Sequence, residues 1–101
     1  MWVIVFFDLP TTSKAERKKY SIFLKNLKKD GFNMLQYSIY MRHCPSMDNA
    51  KVHIKRVKSF LPPKGHVVMM TLTDKQFGDM EVFFAAKQVD SPATPQQLEM
   101  F

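Results

Sequence analysis

The first apolar segment of the chain runs from Trp2 to Phe7 and stops at a carboxylate, Asp8. An uninterrupted apolar run of this length is typical of a strand that is buried on both faces. Pro10 follows two residues later and cannot continue a central ladder. The pattern therefore predicts a central strand that ends at Asp8.

Residues 13 to 29 show the periodicity of an amphipathic helix. Ser13 and Glu16 have the spacing of a capping box, in which each side chain accepts a hydrogen bond from the other residue's backbone N–H. Gly31 is expected to end the helix. The apolar positions recur at the spacing of one buried stripe, and they are Tyr20, Phe23, Leu24 and Leu27.

The segment from Phe32 to His43 holds aromatic and β-favouring residues without Gly or Pro. This composition predicts a pair of strands or one long bent strand, and it does not locate the reversal. Tyr37 is expected to belong to the core.

A second helix is predicted to begin at Ser46 and to end at the prolines Pro62 and Pro63. Its inward positions are expected to be Ala50, Ile54, Val57 and Leu61. Residues 66 to 73 then form another predicted strand.

The predicted order is strand, helix, strand, strand, helix, strand. This is the ferredoxin-like βαββαβ plan of the α+β class, in which both helices cover one face of an antiparallel sheet. Residues 1–78 are assigned to this core. Because the first strand is apolar on both faces, the face without helices also needs cover. We expect a second copy to supply it, in a homodimer formed through the open sheet face.

Residues 79–101 are interpreted as a C-terminal extension of the ferredoxin-like core. A short helical turn near Lys75 to Phe77 precedes it, and an edge strand is predicted around Glu81 to Ala86. A last strand near Leu98 to Phe101 is expected to pack on the partner subunit.

The composition adds information about partners and compartment. The chain has 101 residues and a net charge of +6, which favours nucleic acid or an anionic membrane surface as partner. The single cysteine, Cys44, cannot form an internal disulfide, which favours a cytoplasmic location. No apolar stretch approaches the length of about 18 residues that spans a bilayer.

Twelve of the fifteen basic residues are assigned to the two predicted helices, which share one side of the sheet. Such a stripe is most often a solvated helix face. On a basic protein it also fits the phosphate backbone of nucleic acid. The residues predicted to bind nucleic acid are Lys14, Arg17, Lys18, Lys25, Lys28, Lys55 and Arg56.

Asp8 has two interpretations. It is either a turn residue at the end of a strand, or a metal ligand that meets its counterpart at the two-fold axis of the dimer. Mg²⁺ is commonly held by one or two carboxylates, with water and substrate phosphates completing its coordination. In the second interpretation Asp8 is the catalytic residue of phosphodiester hydrolysis that depends on Mg²⁺ or Mn²⁺.

Three segments together resemble the family of the CRISPR-associated protein Cas2. They are the opening strand that closes on Asp8, Leu9 and Pro10, the GFNMLQYSIYMRH segment, and TLTDKQF after the fourth strand. The resemblance covers nearly the whole chain. The TDKQF phrase and the final strand are most similar to members from type II systems.

The resemblance implies a ferredoxin-like homodimer whose C-terminal strand packs on the partner's sheet. It also implies a role in CRISPR adaptation, in which the dimer bridges two dimers of the integrase Cas1. The resulting complex would insert captured duplex DNA, the protospacer, into the CRISPR array as a new spacer. Magnesium-dependent endonuclease activity on single-stranded RNA or double-stranded DNA is a further implication. Asp8 matches the family's strand-end aspartate that binds the metal, and Arg17 lies where members carry a basic residue. Phe7 stands where many members have Tyr.

Two other functions remain open at this point. The first is a stand-alone, toxin-type metal-dependent ribonuclease of the same fold, which would depend on Asp8 and need no partner. The second is a monomeric RNA-recognition sheet, which is disfavoured because the aromatic RNP signature is missing.

Overall fold

The computed structural model describes residues 1–92 of the chain. The strands are β1 (Trp2–Asp8), β2 (Asn33–Gln36), β3 (Ile39–His43), β4 (His66–Leu72), β5 (Val82–Phe84) and β6 (Lys87–Val89). The helices are α1 (Lys14–Lys29), α2 (Met47–Ser59) and α3 (Asp74–Gly78). The predicted α+β order is confirmed over the core, with α3 and the β5–β6 hairpin following it.

The main sheet has four antiparallel strands in the order β2-β3-β1-β4. This order is consistent with the ferredoxin-like plan. Strand β1 lies between β3 and β4, as its two apolar faces predict. Trp2 is paired with His43 at one end of β1, and Asp8 is paired with His66 at the other.

Helix α1 begins with the predicted capping box. The Glu16 backbone N–H donates to Ser13 Oγ at 3.1 Å, and the Ser13 backbone N–H donates to Glu16 Oε1 at 2.9 Å. Phe23 and Leu27 are buried against the sheet, so the predicted apolar stripe is confirmed.

The reversal between β2 and β3 lies at Tyr37 and Ser38, and Ser38 has a φ of 65°. The prediction that Tyr37 belongs to the core is wrong, because its side chain is 77% exposed at this turn.

Helix α2 is capped by Ser46, and the Asn49 backbone N–H donates to Ser46 Oγ at 3.1 Å. The helix ends at Ser59, earlier than predicted. Leu61 therefore lies beyond the helix and is 43% exposed, so its assignment to the inward face is wrong. Lys64, one of the twelve basic residues assigned to the two helices, lies in the loop before β4, so α1 and α2 carry eleven.

The principal core lies between the helices and one face of the sheet, where Val3, Val5 and Phe7 pack against α1 and α2 residues. The opposite face is partly covered by α3. Phe77 stacks on Trp2 with the ring centroids 3.8 Å apart and the planes 7° from parallel. The chain thus covers the Trp2 end of this face itself, which corrects the expectation that the whole face needs a partner.

The rest of the second face is open in the described part of the chain. Val68 is 58% exposed and Met70 is 42% exposed, both on β4. We call this region, with Asp8 and His66 at its edge, the open face. The homodimer predicted through it stays a prediction.

The C-terminal extension differs from its prediction. The prediction of one edge strand over residues 81 to 86 is wrong, because the structure has a hairpin in which β5 and β6 are joined by Ala85 and Ala86. Both alanines have positive φ, which reverses the chain. The strand predicted near Leu98 to Phe101 lies outside the described residues, and the boundary between residues 78 and 79 stays a prediction. No described helix is long and apolar enough to cross a membrane.

Candidate active site and nucleic-acid interface

Asp8 is the last residue of β1 and is exposed. Successive side chains of a strand point to opposite faces of the sheet. Phe7 packs into the core on the helix side, so Asp8 projects toward the open face. A buried core residue, Phe7, is thus followed directly in β1 by an exposed carboxylate, Asp8.

Asp8 borders a shallow depression of about 310 Å³. The depression lies where β1, β4 and the β2–β3 turn meet. Its polar lining comes from Asp8, Tyr37, Ser38 and His66, and its apolar lining from Phe6, Phe7, Ile39 and Val68. A phosphate group and a hydrated cation both fit a depression of this kind.

The donor set is small for a metal site. Within residues 1–92, no group of three or more His, Cys, Asp and Glu side chains could hold a metal ion. One exposed carboxylate per chain suits Mg²⁺ or Mn²⁺ if a second chain or substrate phosphates supply further oxygen ligands. The residues present therefore fit a shared site and do not fit a metal centre built by one chain.

Tyr20 connects α1 to the β2–β3 turn beside Asp8. Burial, together with hydrogen bonding and proximity to Tyr37, raises the pKa of Tyr20 to about 12. Ser38, on the same turn, acts in the opposite direction and lowers the pKa of Tyr20. The proximity of Tyr20 to Tyr37 is not evident from the sequence, because the composition of residues 32–43 does not locate the reversal.

Gly65 brings the start of β4 against the end of β1. It has a φ of +92°, and a Cβ built on it would lie 2.6 Å from the Asp8 backbone oxygen and 2.9 Å from Leu9 Cδ2. No side chain fits there, and positive φ favours glycine. This contact fixes the loop before His66 against the segment that carries Asp8.

Five of the residues predicted to bind nucleic acid have exposed side chains that form no ion pair within the described residues. They are Lys14, Lys18, Lys25 and Lys28 on α1 and Lys55 on α2. They fit either a solvated face or a phosphate-binding face.

The two predicted arginines have partners in the structure. Arg17 Nη1 donates to the backbone oxygens of Thr11 at 3.2 Å and Thr12 at 2.9 Å. Arg56 Nη1 donates to Asp30 Oδ1 at 3.0 Å, and His53 Nδ1 lies 2.8 Å from Asp30 Oδ2. These arginines stabilise the loop after β1 and the contact between α1 and α2, and their binding of nucleic acid stays a prediction.

Comparison with known proteins gives a consistent result. Residues 1–80 match the family model described as CRISPR associated protein Cas2. A CRISPR-associated endoribonuclease Cas2 of Flavobacterium psychrophilum is 52% identical over all 101 residues and is covered over 88% of its length.

Two further relatives carry the same name. The protein of Parvibaculum lavamentivorans is 48% identical over 101 residues, which is the full length of both chains. The protein of Ligilactobacillus salivarius is 45% identical over 87 residues, or 86% of each chain. The chain therefore belongs to the CRISPR-associated protein Cas2 family.

Proposed function

We propose that this protein is a homodimeric CRISPR adaptation subunit that binds nucleic acid and cleaves phosphodiester bonds at a metal site containing Asp8. The observation that carries the proposal is the exposed carboxylate of Asp8 at the end of a central strand, on the edge of an apolar face that the described chain leaves open. The relatives named above are called endoribonucleases, which supports nuclease activity.

The homodimer is supported by the open face. Val68 and Met70 expose apolar surface beside Asp8, and Phe83 and Phe84 of the hairpin are also exposed. Exposed apolar surface of this kind is typical of a protein–protein contact. A two-fold contact through the open face would bring the two Asp8 side chains to one interface, because the same patch meets itself across the axis.

In this dimer the two Asp8 carboxylates would hold one Mg²⁺ or Mn²⁺ ion together with substrate phosphate oxygens. The ion would supply an activated water and neutralise charge on the phosphodiester. The protein's own contribution is to keep Asp8 fixed, through the strand pairing to β4 and the close packing of Gly65 on the Asp8 backbone. His66 and Tyr37 line the same depression and would limit how the phosphate approaches.

The exposed lysines of α1 and α2 support backbone binding of a long polyanion. They lie on the helix side of the sheet, away from the open face, so dimerisation would leave them accessible. Two copies would form one extended basic surface for duplex DNA, with an affinity that decreases steeply with salt. We propose that this surface holds captured protospacer DNA while the integrase Cas1 binds the same dimer in the prokaryotic cytoplasm.

The exposed carboxylate of Asp8 also supports a second candidate function. A stand-alone, toxin-type metal-dependent ribonuclease would also use Asp8, and it would need neither the integrase nor the lysines of both helices. Retained RNA cleavage after loss of duplex DNA binding would favour this alternative.

The test of the proposed activity compares wild type, Asp8→Asn and Asp48→Asn. Asp48 is a matched control because it is also an exposed carboxylate, and α2 begins at the other end of β1 from Asp8. We expect wild type and Asp48→Asn to cleave single-stranded RNA or duplex DNA in the presence of Mg²⁺ or Mn²⁺. Cleavage by both proteins should stop when a chelator is added. Asp8→Asn should form the dimer without cleaving. Equal cleavage by Asp8→Asn and wild type would contradict the proposal.

A further inference from the structure

A second cavity lies on the helix side of the loop that follows Asp8. Its volume is about 380 Å³, within the range of about 300–1,000 Å³ that is usual for ligand sites. Its apolar wall comes from Leu9, Pro10, Ala15, Tyr20, Pro62 and Pro63, and its polar rim from Ser13, Glu16, Lys19 and Lys64. We call it the proline cleft.

The proline cleft adjoins the depression at Asp8 through two segments of the chain. Asp8 lines the depression, and the next two residues, Leu9 and Pro10, line the cleft. His66 lines the depression and Lys64 lines the cleft, with Gly65 between them. Gly65 packs directly on Asp8 and Leu9, so the two segments that line both cavities are in contact between them.

Tyr20 links the same two cavities from α1. Its ring lines the proline cleft and packs edge-on against Phe7, which lines the depression, with the ring centroids 6.2 Å apart. With a pKa of about 12, the hydroxyl stays protonated at neutral pH. These contacts orient one face of the cleft, and the ring supplies an aromatic surface.

We propose that the proline cleft binds one unpaired nucleobase of single-stranded RNA, next to the phosphate that lies at Asp8. This inference rests on the proposed function. An aromatic ring and proline rings form a surface on which any base can stack. Lys19 and Lys64 at the rim complement the phosphates on either side of that base.

Glu16 gives the cleft a preference among bases. Ser13 hydrogen bonds lower the pKa of Glu16, so its carboxylate is ionised and accepts hydrogen bonds only. A carboxylate in this position favours a base with an exocyclic amino group, such as cytosine or adenine. A base in a continuous duplex is stacked and paired, so it does not enter the cleft without unpairing.

The test fills the cleft with a neutral side chain, and the two variants that are compared differ from each other only on α1. Ala15→Trp places a large side chain in the cleft from the first turn of α1, where Ala15 is exposed. Ile22→Trp is the matched control, because Ile22 is an exposed residue two turns further along the same side of α1 and does not line the cleft. Both changes are made in the Asp8→Asn background, so that binding is measured without cleavage.

The probes are a short single-stranded RNA containing adenine and cytosine, and a DNA duplex of equal length. We expect Ala15→Trp to weaken RNA binding by about tenfold, which corresponds to the loss of one stacked base, and to leave duplex binding unchanged. Ile22→Trp should change neither. Unchanged RNA affinity in Ala15→Trp, or an equal loss for RNA and duplex, would overturn the inference.

The result is independent of the proposed nuclease activity. If otherwise wild-type protein binds RNA through the cleft but does not cleave it, the nuclease proposal fails and the nucleobase site stands. If it cleaves RNA and Ala15→Trp alters neither binding nor KM, the nucleobase site fails and the nuclease proposal stands.

Discussion

Asp8 is the register partner of His66 in the antiparallel pairing of β1 and β4. Directly opposed residues have their Cβ atoms about 4.5–5.5 Å apart on one face of the sheet. Both side chains are exposed at the edge of the open face. A carboxylate placed at position 66 would therefore lie beside Asp8, and this relationship makes the proposed metal site testable.

His66→Glu is expected to increase the affinity for Mn²⁺, because each chain then contributes two carboxylates. Without metal, the same change should lower the thermal stability, since two like charges directly opposite each other repel. Calorimetric titration and thermal unfolding with and without Mn²⁺ measure both effects. The gain in affinity should disappear when Asp8→Asn is added, and a gain that persists would mean that Asp8 is not a ligand.

Reversing Lys18, Lys25 and Lys28 to Glu should weaken duplex DNA binding for every sequence tested. The dependence of the logarithm of affinity on the logarithm of salt concentration should also become shallower, by about one unit for each phosphate that the protein no longer neutralises. Lys75→Glu is a control with a charge reversal on α3, away from α1 and α2. An equal loss of affinity per reversed charge in the control and the α1 variant would show that net charge alone sets the affinity.

Phe77→Ala should lower the free energy of unfolding by about 3–5 kcal/mol, because it removes a buried ring from its stack on Trp2. The fluorescence of Trp2, the single tryptophan, should shift to longer wavelength as its surroundings become more polar. Ile22→Ala removes an exposed apolar side chain on the helix side of the sheet and serves as the control. A small loss of stability at Phe77 would contradict the conclusion that α3 covers this end of the sheet.

The contribution of Tyr20 to the free energy of unfolding is lost at alkaline pH. Burial raises its pKa from the ordinary value of 10.0 to about 12, so folding favours the protonated hydroxyl. This contribution is fully present below pH 10 and is lost as the pH rises through 12. The free energy of unfolding of wild type should therefore fall more steeply than that of Tyr20→Phe between these values. Parallel curves would indicate that Tyr20 is solvated.

The strand that ends at Asp8 is predictable from sequence because burial on both faces leaves an uninterrupted apolar run. The α1 capping box is predictable for a similar reason, since its hydrogen bonds are local and need only Ser13 and Glu16 at the right spacing. The position of Tyr37 is not predictable in this way. Its exposure depends on a reversal at Ser38 in the left-handed region, which the composition of the segment does not mark.

The covering of Trp2 and the proline cleft depend on contacts between distant parts of the chain. Phe77 reaches Trp2 because α3 turns back after β4, and an isolated TDKQF segment does not reveal that direction. Likewise, the position of Arg56 on the polar face of the second helix predicts a solvated side chain. Its contact with Asp30 depends on how α2 packs on the end of α1. The position of Asp8 in the sequence is enough to mark it as a candidate. Its neighbour His66 is evident only from the strand register, and its neighbour Tyr37 only from the position of the β2–β3 turn.

The central claim is that two Asp8 side chains, one from each copy, form one site. The measurement that tests it most directly is the cleavage rate of dimers reassembled from equal amounts of wild type and Asp8→Asn. If both carboxylates are required, only wild-type homodimers cleave, and random pairing leaves about one quarter of the wild-type rate. A rate of about one half would mean that each Asp8 acts alone in its own subunit, and it would contradict the shared site.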